Sequence, residues 1–309
     1  MHPRGNPDRA RRIRVLRDFY RMYFLLALAL LLAGCDIRKD LDEFGSMSRA
    51  HASSAYLVYF GPAPVTPSGS YRAMAGFLPL ANDFSKVGPF PLFIASSPEP
   101  MLRLVQRLVS IDPGVIEPLG LTNPFPHGTV VLSLRQQGDL VMVDLSRQAA
   151  RQKNFLVRRA MIMSLGHLLE QFPGVKRVMV SAEGVPLTTF GGMTFRPGSL
   201  QVVSPGPPRP VGVVGSWSGS GGKVEEIAVW FDRPVTVSDF HLRDDVGHVI
   251  IGEIKRQPFD LGVRLQPASS PVLREGMRVH VVWKAVDALG DVGQGESTFH
   301  LRHLPTTTH

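Results

Sequence analysis

The sequence predicts two folded domains of different class, an α+β domain followed by an all-β sandwich, set behind an amino-terminal export signal. Three observations carry that expectation. An uncharged run of thirteen residues, Met22 to Gly34, follows an arginine-rich start and ends in small residues beside Cys35. Between residues 55 and 192, apolar residues recur partly at strand spacing and partly at helix spacing. Over the last hundred or so residues short alternating runs recur between turn signals instead.

The chain has 309 residues, enough for about two domains at ~100–200 residues each. Hydrophobic residues make up 44% and charged residues 19%, which excludes a disordered chain. The net charge of +8 is concentrated where it is lost on processing. Residues 1–34 hold seven arginines against Asp8 and Asp18, so only +3 remains for the rest. A nucleic-acid binder keeps its basic stripe in the folded part, so nucleic acid is excluded as the expected partner.

The export segment has a basic start, an apolar middle and a small-residue end, the plan of a secretory signal. As a helix it would span about 20 Å, short of a ~30 Å hydrocarbon core. Leu32-Ala33-Gly34-Cys35 matches all four positions of the lipobox and resembles that of bacterial lipoproteins. The resemblance implies cleavage before Cys35, residues 1–34 as signal peptide, and Cys35 as the lipidation site, with fatty acyl chains such as palmitate holding the chain to a membrane. Two or more chains anchor stably where one does not. Arg11-Arg12 hints at twin-arginine export, without the rest of that motif. Asp36 resembles the inner-membrane retention signal of Gram-negative lipoproteins and would be silent in a Gram-positive cell. The sequence leaves the cell type open.

Residues 35–54 are polar and without clear periodicity, and read as a flexible tether. Tyr56–Phe60 reads as a strand from its aromatic and β-branched content, and residues 61–70 as a Pro/Gly/Ser loop. Ser97-Pro98-Glu99 opens a helix, with Ser97 as cap and Pro98 in the first turn. Met101, Leu104, Val105, Leu108 and Val109 are its apolar stripe. Val130–Leu134 and Leu140–Leu145 read as a hairpin turning at Gly138. The longest helix starts near Asn154, a plausible cap, buries Val157, Met161, Ser164/Leu165, Leu168 and Phe172, and stops at Pro173-Gly174. Val175–Ser181 reads as a strand, and Glu183-Gly184 as a turn.

Those residues carry a resemblance. Pro126-His127-Gly128-Thr129 before a strand pair ending Val143-Asp144-Leu145-Ser146, then Phe172-Pro173-Gly174-Val175 with Val178 and Gly184, resembles the GerMN domain of sporulation and spore-germination proteins. The resemblance covers residues 55–192. It implies a small sheet with helices on one face, a place in membrane-anchored envelope proteins, and no catalysis.

Residues 193–212 have the composition of a proline-stiffened linker. From 213 to 303, Ile227/Val229/Phe231, Leu261/Val263/Leu265, Met277/Val279/Val281/Trp283 and Phe299/Leu301 alternate as sandwich strands, and residues 304–309 form a tail. Phe231-Asp232-Arg233-Pro234-Val235, Asp244-Asp245-Val246-Gly247 and Leu273-Arg274-Glu275-Gly276-Met277 resemble bacterial Ig-like and CopC-like domains. The spore-germination Ig-like partner domain fits these residues less well. The CopC-like family binds copper through an amino-terminal histidine and a histidine in a late turn. Here those places hold Cys35 and Leu289-Gly290-Asp291-Val292, so the resemblance implies no copper site.

His241, Asp244, Asp245 and His248 are the one compact set of metal-ligating types, and a turn with solvent-facing histidines accounts for them better. His167 and Glu170 lie at i, i+3 and read as the polar edge of the long helix. Gly219-Ser220-Gly221-Gly222 lacks the Lys-Ser/Thr of a phosphate loop. Arg151, Lys153, Arg158, Arg159, Lys176 and Arg177 form a candidate basic face toward lipid headgroups, wall polymer or an acidic protein. No nucleophile motif, cofactor site or metal site is expected. The sequence therefore predicts a non-enzymatic envelope lipoprotein whose partners are the membrane and an envelope protein or peptidoglycan. The alternative is a ligand- or metal-binding lipoprotein of CopC-like type.

Overall fold

The computed structural model describes residues 48–66, 71–187, 194–198, 201–218, 223–269 and 273–303. The signal segment, Cys35, the glycine loop 219–222 and the tail 304–309 lie outside the described residues.

Order begins inside the stretch read as tether. Ala50 is buried, and β1 (His51–Ala52) pairs in parallel with β2 (Tyr71–Leu80). The next element corrects an expectation. Residues Ser54–Phe60 form a helix, α1, where Tyr56–Phe60 had read as a strand. Ser53 Oγ accepts from Tyr56 N, Gly61 closes the helix at positive φ, and the buried rings Tyr56 and Phe60 are one helical turn apart.

The antiparallel hairpin of β2 and β3 (Asp83–Ala95) has no counterpart in the sequence reading. Its prolines disguise it, because proline argues against a strand interior. Pro91 faces Ala75 across the pair, and Ala75 turns its N–H and C=O to the opposite side. There the Gln171 side chain takes both: Oε1 accepts from Ala75 N at 2.9 Å and Nε2 donates to Ala75 O at 2.7 Å. Proline's missing donor is therefore not needed at that position.

Helix α2 (Pro100–Val109) begins at Pro100 rather than at Pro98; Glu99 stands at the cap without a side-chain bond, and Ser97 Oγ accepts from Glu99 N instead. Leu104, Val105, Leu108 and Val109 are buried along its stripe. Strands β4 (Val131–Gln137) and β5 (Leu140–Leu145) form the expected hairpin, with Gly138 at positive φ. A short helix, α3 (Arg147–Ala150), and the long helix α4 (Phe155–Leu169) then lead to β6 (Arg177–Ala182), which lies parallel to β5. Asn154 Oδ1 caps α4 by accepting from Leu156 N and Val157 N. Strand β7 (Val185–Pro186) and β8 (Thr194–Phe195) both add to β6, completing a five-stranded sheet.

Every residue of α4 from Ala160 to Leu169 is buried, so the helix is enclosed rather than one-sided. It packs on β2 and β3 and also on β6. Val141, Val143 and Leu145 of β5 and Val178, Val180 and Ala182 of β6 face this core, while the intervening residues are half-exposed. The first domain is thus α+β, with a three-stranded and a five-stranded sheet sharing one principal helix.

The linker reading is corrected in part. Phe195 packs over Gly166, where an added Cβ would overlap its ring. Val202 bridges to Val87, and Val203 N donates to Val87 O at 2.9 Å. Composition marks such a segment as irregular; it does not report that its few apolar side chains find a docking site.

The second domain is a sandwich. One sheet orders β12 (Gly252–Arg256), β13 (Gly262–Pro267), β10 (Lys223–Phe231), β9 (Pro210–Ser218) and β16 (Arg302–His303). The other orders β11 (Val235–Arg243), β14 (Arg278–Asp287) and β15 (Val292–His300). Inward residues of both sheets form one core, including Ile227, Val229, Leu265, Val279 and Val281. Phe231 of one sheet meets Trp283 of the other edge-on at 5.6 Å.

Candidate functional site

Two short stretches build a seam between the domains: residues 201–209, with their prolines, and the turn Pro258–Asp260. The first is held by a guanidinium. Arg233, in the tight connection between β10 and β11, is only 2% exposed. Its Nη2 donates to Pro205 O at 3.0 Å and Asp232 Oδ2 at 3.1 Å, its Nε to Asp232 Oδ1 at 3.2 Å, and its Nη1 to Asp287 Oδ2 at 3.3 Å. Asp287 in turn accepts from Leu289 N and Asp291 N. Its side chain is fully buried, so the pair satisfies the rule that buried charges are partnered. Arg209 Nη2 donates to Leu119 O at 3.2 Å, tying the start of the sandwich to the first domain.

The second stretch is strained. Phe259 and Asp260 both have positive φ, 58° and 53°. This conformation costs about 1–2 kcal/mol for a residue with a Cβ. The strain places the Phe259 ring parallel to Phe93 at 4.4 Å and edge-on to Tyr71 at 5.2 Å, both in the first domain. Burial raises the Asp260 carboxyl above its ordinary pKa, against the opposing pull of Arg256 and Arg49. Burial first, and then Asp260, raises the Tyr56 phenol.

Beside the first stretch lies a cleft of about 310 Å³, lined by Leu119, Leu121, Pro205, Pro207 and Arg233 among others. Arg209, Asp232 and Arg233, its charged groups, are paired with one another and with backbone. That arrangement joins domains; it leaves no free acid and base facing each other across the cleft.

The other residues singled out in the sequence disperse. His248 Nδ1 lies 3.2 Å from Asp244 Oδ2, but His241 turns to Asp239 at 3.0 Å. Asp244 accepts from Val246 N and His248 N, and these bonds hold its pKa low although burial alone would raise it. No cluster of three or more metal-ligating side chains occurs among the described residues. His167 corrects the polar-edge reading: it is 1% exposed, 5.3 Å from the Phe77 ring, with Nδ1 2.8 Å from Glu170 Oε1 and Nε2 3.2 Å from Gln201 Oε1. It is a core histidine closed on its neighbours. Of the basic residues, Arg177 is paired with Asp139, whose pKa that hydrogen bond lowers. Arg158 and Arg159 are half-buried, and Arg151, Lys153 and Lys176 are exposed.

Sequence reasoning missed Arg233, Asp287 and Phe259. Arg233 stands inside the very Phe-Asp-Arg-Pro-Val run that carried the Ig-like resemblance. An Asp232-Arg233 charge pair set between Phe231 and Pro234-Val235 was the available signal.

Residues 83–188 match the family model described as "Germane: Sporulation and spore germination". The GerMN-type residues quoted from the sequence fall inside that match. Among solved structures, the tandem GerMN domains of the sporulation protein GerM from Bacillus subtilis are 19% identical, covering 57% of this chain and 57% of that chain with a TM-score of 0.33. The first GerMN domain of the same protein is 20% identical over 42% of this chain and 96% of that one, with a TM-score of 0.32. CopC from Methylosinus trichosporium OB3b is 16% identical over 31% of this chain and 94% of that one, with a TM-score of 0.22. The chain thus spans little more than half the tandem structure's length. No protein of curated function matches. No helix among the described residues is long and apolar enough to cross a membrane.

Proposed function

We propose, on the premise of a first domain matched to the sporulation and spore-germination family, that the chain is a non-enzymatic envelope lipoprotein. Lipid on Cys35 would hold it to a membrane outside the cytoplasm. The two domains would then present one jointed-free surface to an envelope protein or to peptidoglycan. The observation that carries this reading is the seam. Phe259 stacked on Phe93 and Arg209 donating to Leu119 O couple the domains directly, and buried Arg233 holds the connecting segment to the sandwich through Pro205 O. Function then resides in the outer surfaces and loops.

Two measurements test it. Labelled palmitate should enter the wild-type protein in cells and not Cys35→Ser; equal labelling sinks the anchor. The chain from Asp36 to His309 should pellet with isolated sacculi at physiological salt if wall polymer is the partner. If it stays in the supernatant, crosslinking in whole cells should yield an envelope protein, and failure of both removes the interaction role.

A further inference from the structure

The five-stranded sheet of the first domain carries its core on one face. Helices α2, α3 and α4 bury their apolar residues on the side of Val141, Val143, Val178 and Val180. The alternate residues turn to the other face, where the register sets Arg135, Met142, Met179 and Thr194 side by side across β4, β5, β6 and β8. Leu140 stands next to this row, opposite Arg177. Leu140, Met142 and Met179 are half-buried, yet they belong to no hydrophobic core among the described residues. Strands β5 and β6 run parallel, and parallel strands are ordinarily covered on both faces.

The free charge on this face is positive. Asp144, at one end, is used internally: its Oδ1 accepts from Ser181 Oγ at 2.6 Å and from Gly184 N at 2.9 Å. Arg177 is paired with Asp139. Arg135 and Arg196 are exposed, and neither has a carboxylate partner among the described residues. Arg196 belongs to the same face, because Phe195 before it and Pro197 after it both close on Gly166 of α4, on the core side. Two free guanidinium groups therefore flank a strip of two methionines and a leucine. Met and Arg are among the residue types that protein interfaces enrich.

We infer that this face receives an amphipathic helix of another envelope protein, with its apolar stripe on Met142 and Met179 and its flanking carboxylates on Arg135 and Arg196. The inference rests on the interaction reading above and names the surface and the chemistry of the partner. Three observations choose the occupant. A parallel strand pair is the kind of surface that helices cover, as α4 does on the opposite side. Unpaired guanidinium groups call for carboxylates, which they bind through two parallel hydrogen bonds. A second copy presenting the same face is disfavoured, because a two-fold contact would bring Arg135 and Arg196 of both copies together. The flexible methionine side chains can follow the ridges of an incoming helix.

The test places the photocrosslinking residue p-benzoylphenylalanine at Met142, at Met179 or, on the sandwich, at exposed Thr236 of the full chain in cells. The expected result is crosslinking from Met142 and Met179, with the attached peptide identified by mass spectrometry as an acidic amphipathic segment of another protein. Arg135→Glu/Arg196→Glu should cut that yield about tenfold, because reversed rim charges repel an acidic partner. Both side chains are exposed, so the purified variant should keep its melting temperature. Crosslinks to a second copy, to lipid or to a segment without acidic residues overturn the inference. So does a yield that charge reversal leaves unchanged, or no crosslink from either methionine position. Failure of the wider reading looks different. A protein captured from Thr236 alone removes this face and keeps the interaction role, whereas no capture from any position and no pelleting with sacculi removes both.

Discussion

Arg233→Met removes the guanidinium while filling most of the volume of its stem. Asp287 would keep two backbone donors, from Leu289 and Asp291, and lose its cation. Pro205 O would lose the donor at 3.0 Å. Breaking a buried pair from one side costs about 3–5 kcal/mol, because the remaining charge stays desolvated. The described fold comprises more than 200 residues, for which 1 kcal/mol corresponds to about 2–4 °C, so the midpoint should fall by ~6–20 °C. Removing both charges in Arg233→Met/Asp287→Leu should recover most of that loss, since an apolar pair of similar volume is often neutral. Thermal unfolding followed by circular dichroism reads both, and limited proteolysis near Pro205 should accelerate in the single variant alone. A shift below about 2 °C would refute the reasoning, as would a double variant no better than the single.

Phe259→Ala should destabilise by about 1–3 kcal/mol in urea titrations, through lost stacking on Phe93 and Tyr71. Phe259→Gly should be the milder change by about 1 kcal/mol, because glycine tolerates the positive φ at that position. Gly166→Ala should cost about 1–3 kcal/mol by displacing the Phe195 ring, seen as an altered Phe195 environment in NMR as well as a lower midpoint. Asp260 has a raised folded pKa, so its contribution favours the native state below the ordinary carboxyl range and is lost as pH rises through the folded value. Asp260→Asn should therefore leave stability near pH 3 unchanged and raise it near pH 7; melting curves at both pH values check this.

Much of the fold is legible where local signals and tertiary demands agree. Asn154 caps the long helix, Gly138 turns the β4–β5 hairpin, and Val279, Val281 and Trp283 alternate into the sandwich core. The failures have physical causes. Tyr56–Phe60 has strand composition, but its cap, its terminating glycine and its i, i+4 ring spacing decide for helix. The β2–β3 hairpin is hidden by Pro79, Pro89 and Pro91, because whether a proline harms a strand depends on which side needs the donor. His167 looks polar in sequence and is buried because helix α4 has neighbours all round. The seam was the least legible part. Arg233, Pro205 and Asp287 are far apart in the chain, and nothing local to any of them names the others.

The Gln171 amide on Ala75 has a consequence for how the chain behaves in company. Strand β1 ends at Ala52, where the chain turns into α1, so the rim of the hairpin at Ala75 is closed by that single side chain, while Thr122 N donates to Pro79 O at 3.0 Å at its far end. One primary amide imitates a peptide group and occupies the place where another molecule's backbone would otherwise zip on. Gln171→Leu would uncork this rim. Light scattering should then show growth of aggregates with concentration at a temperature where the native protein stays monodisperse.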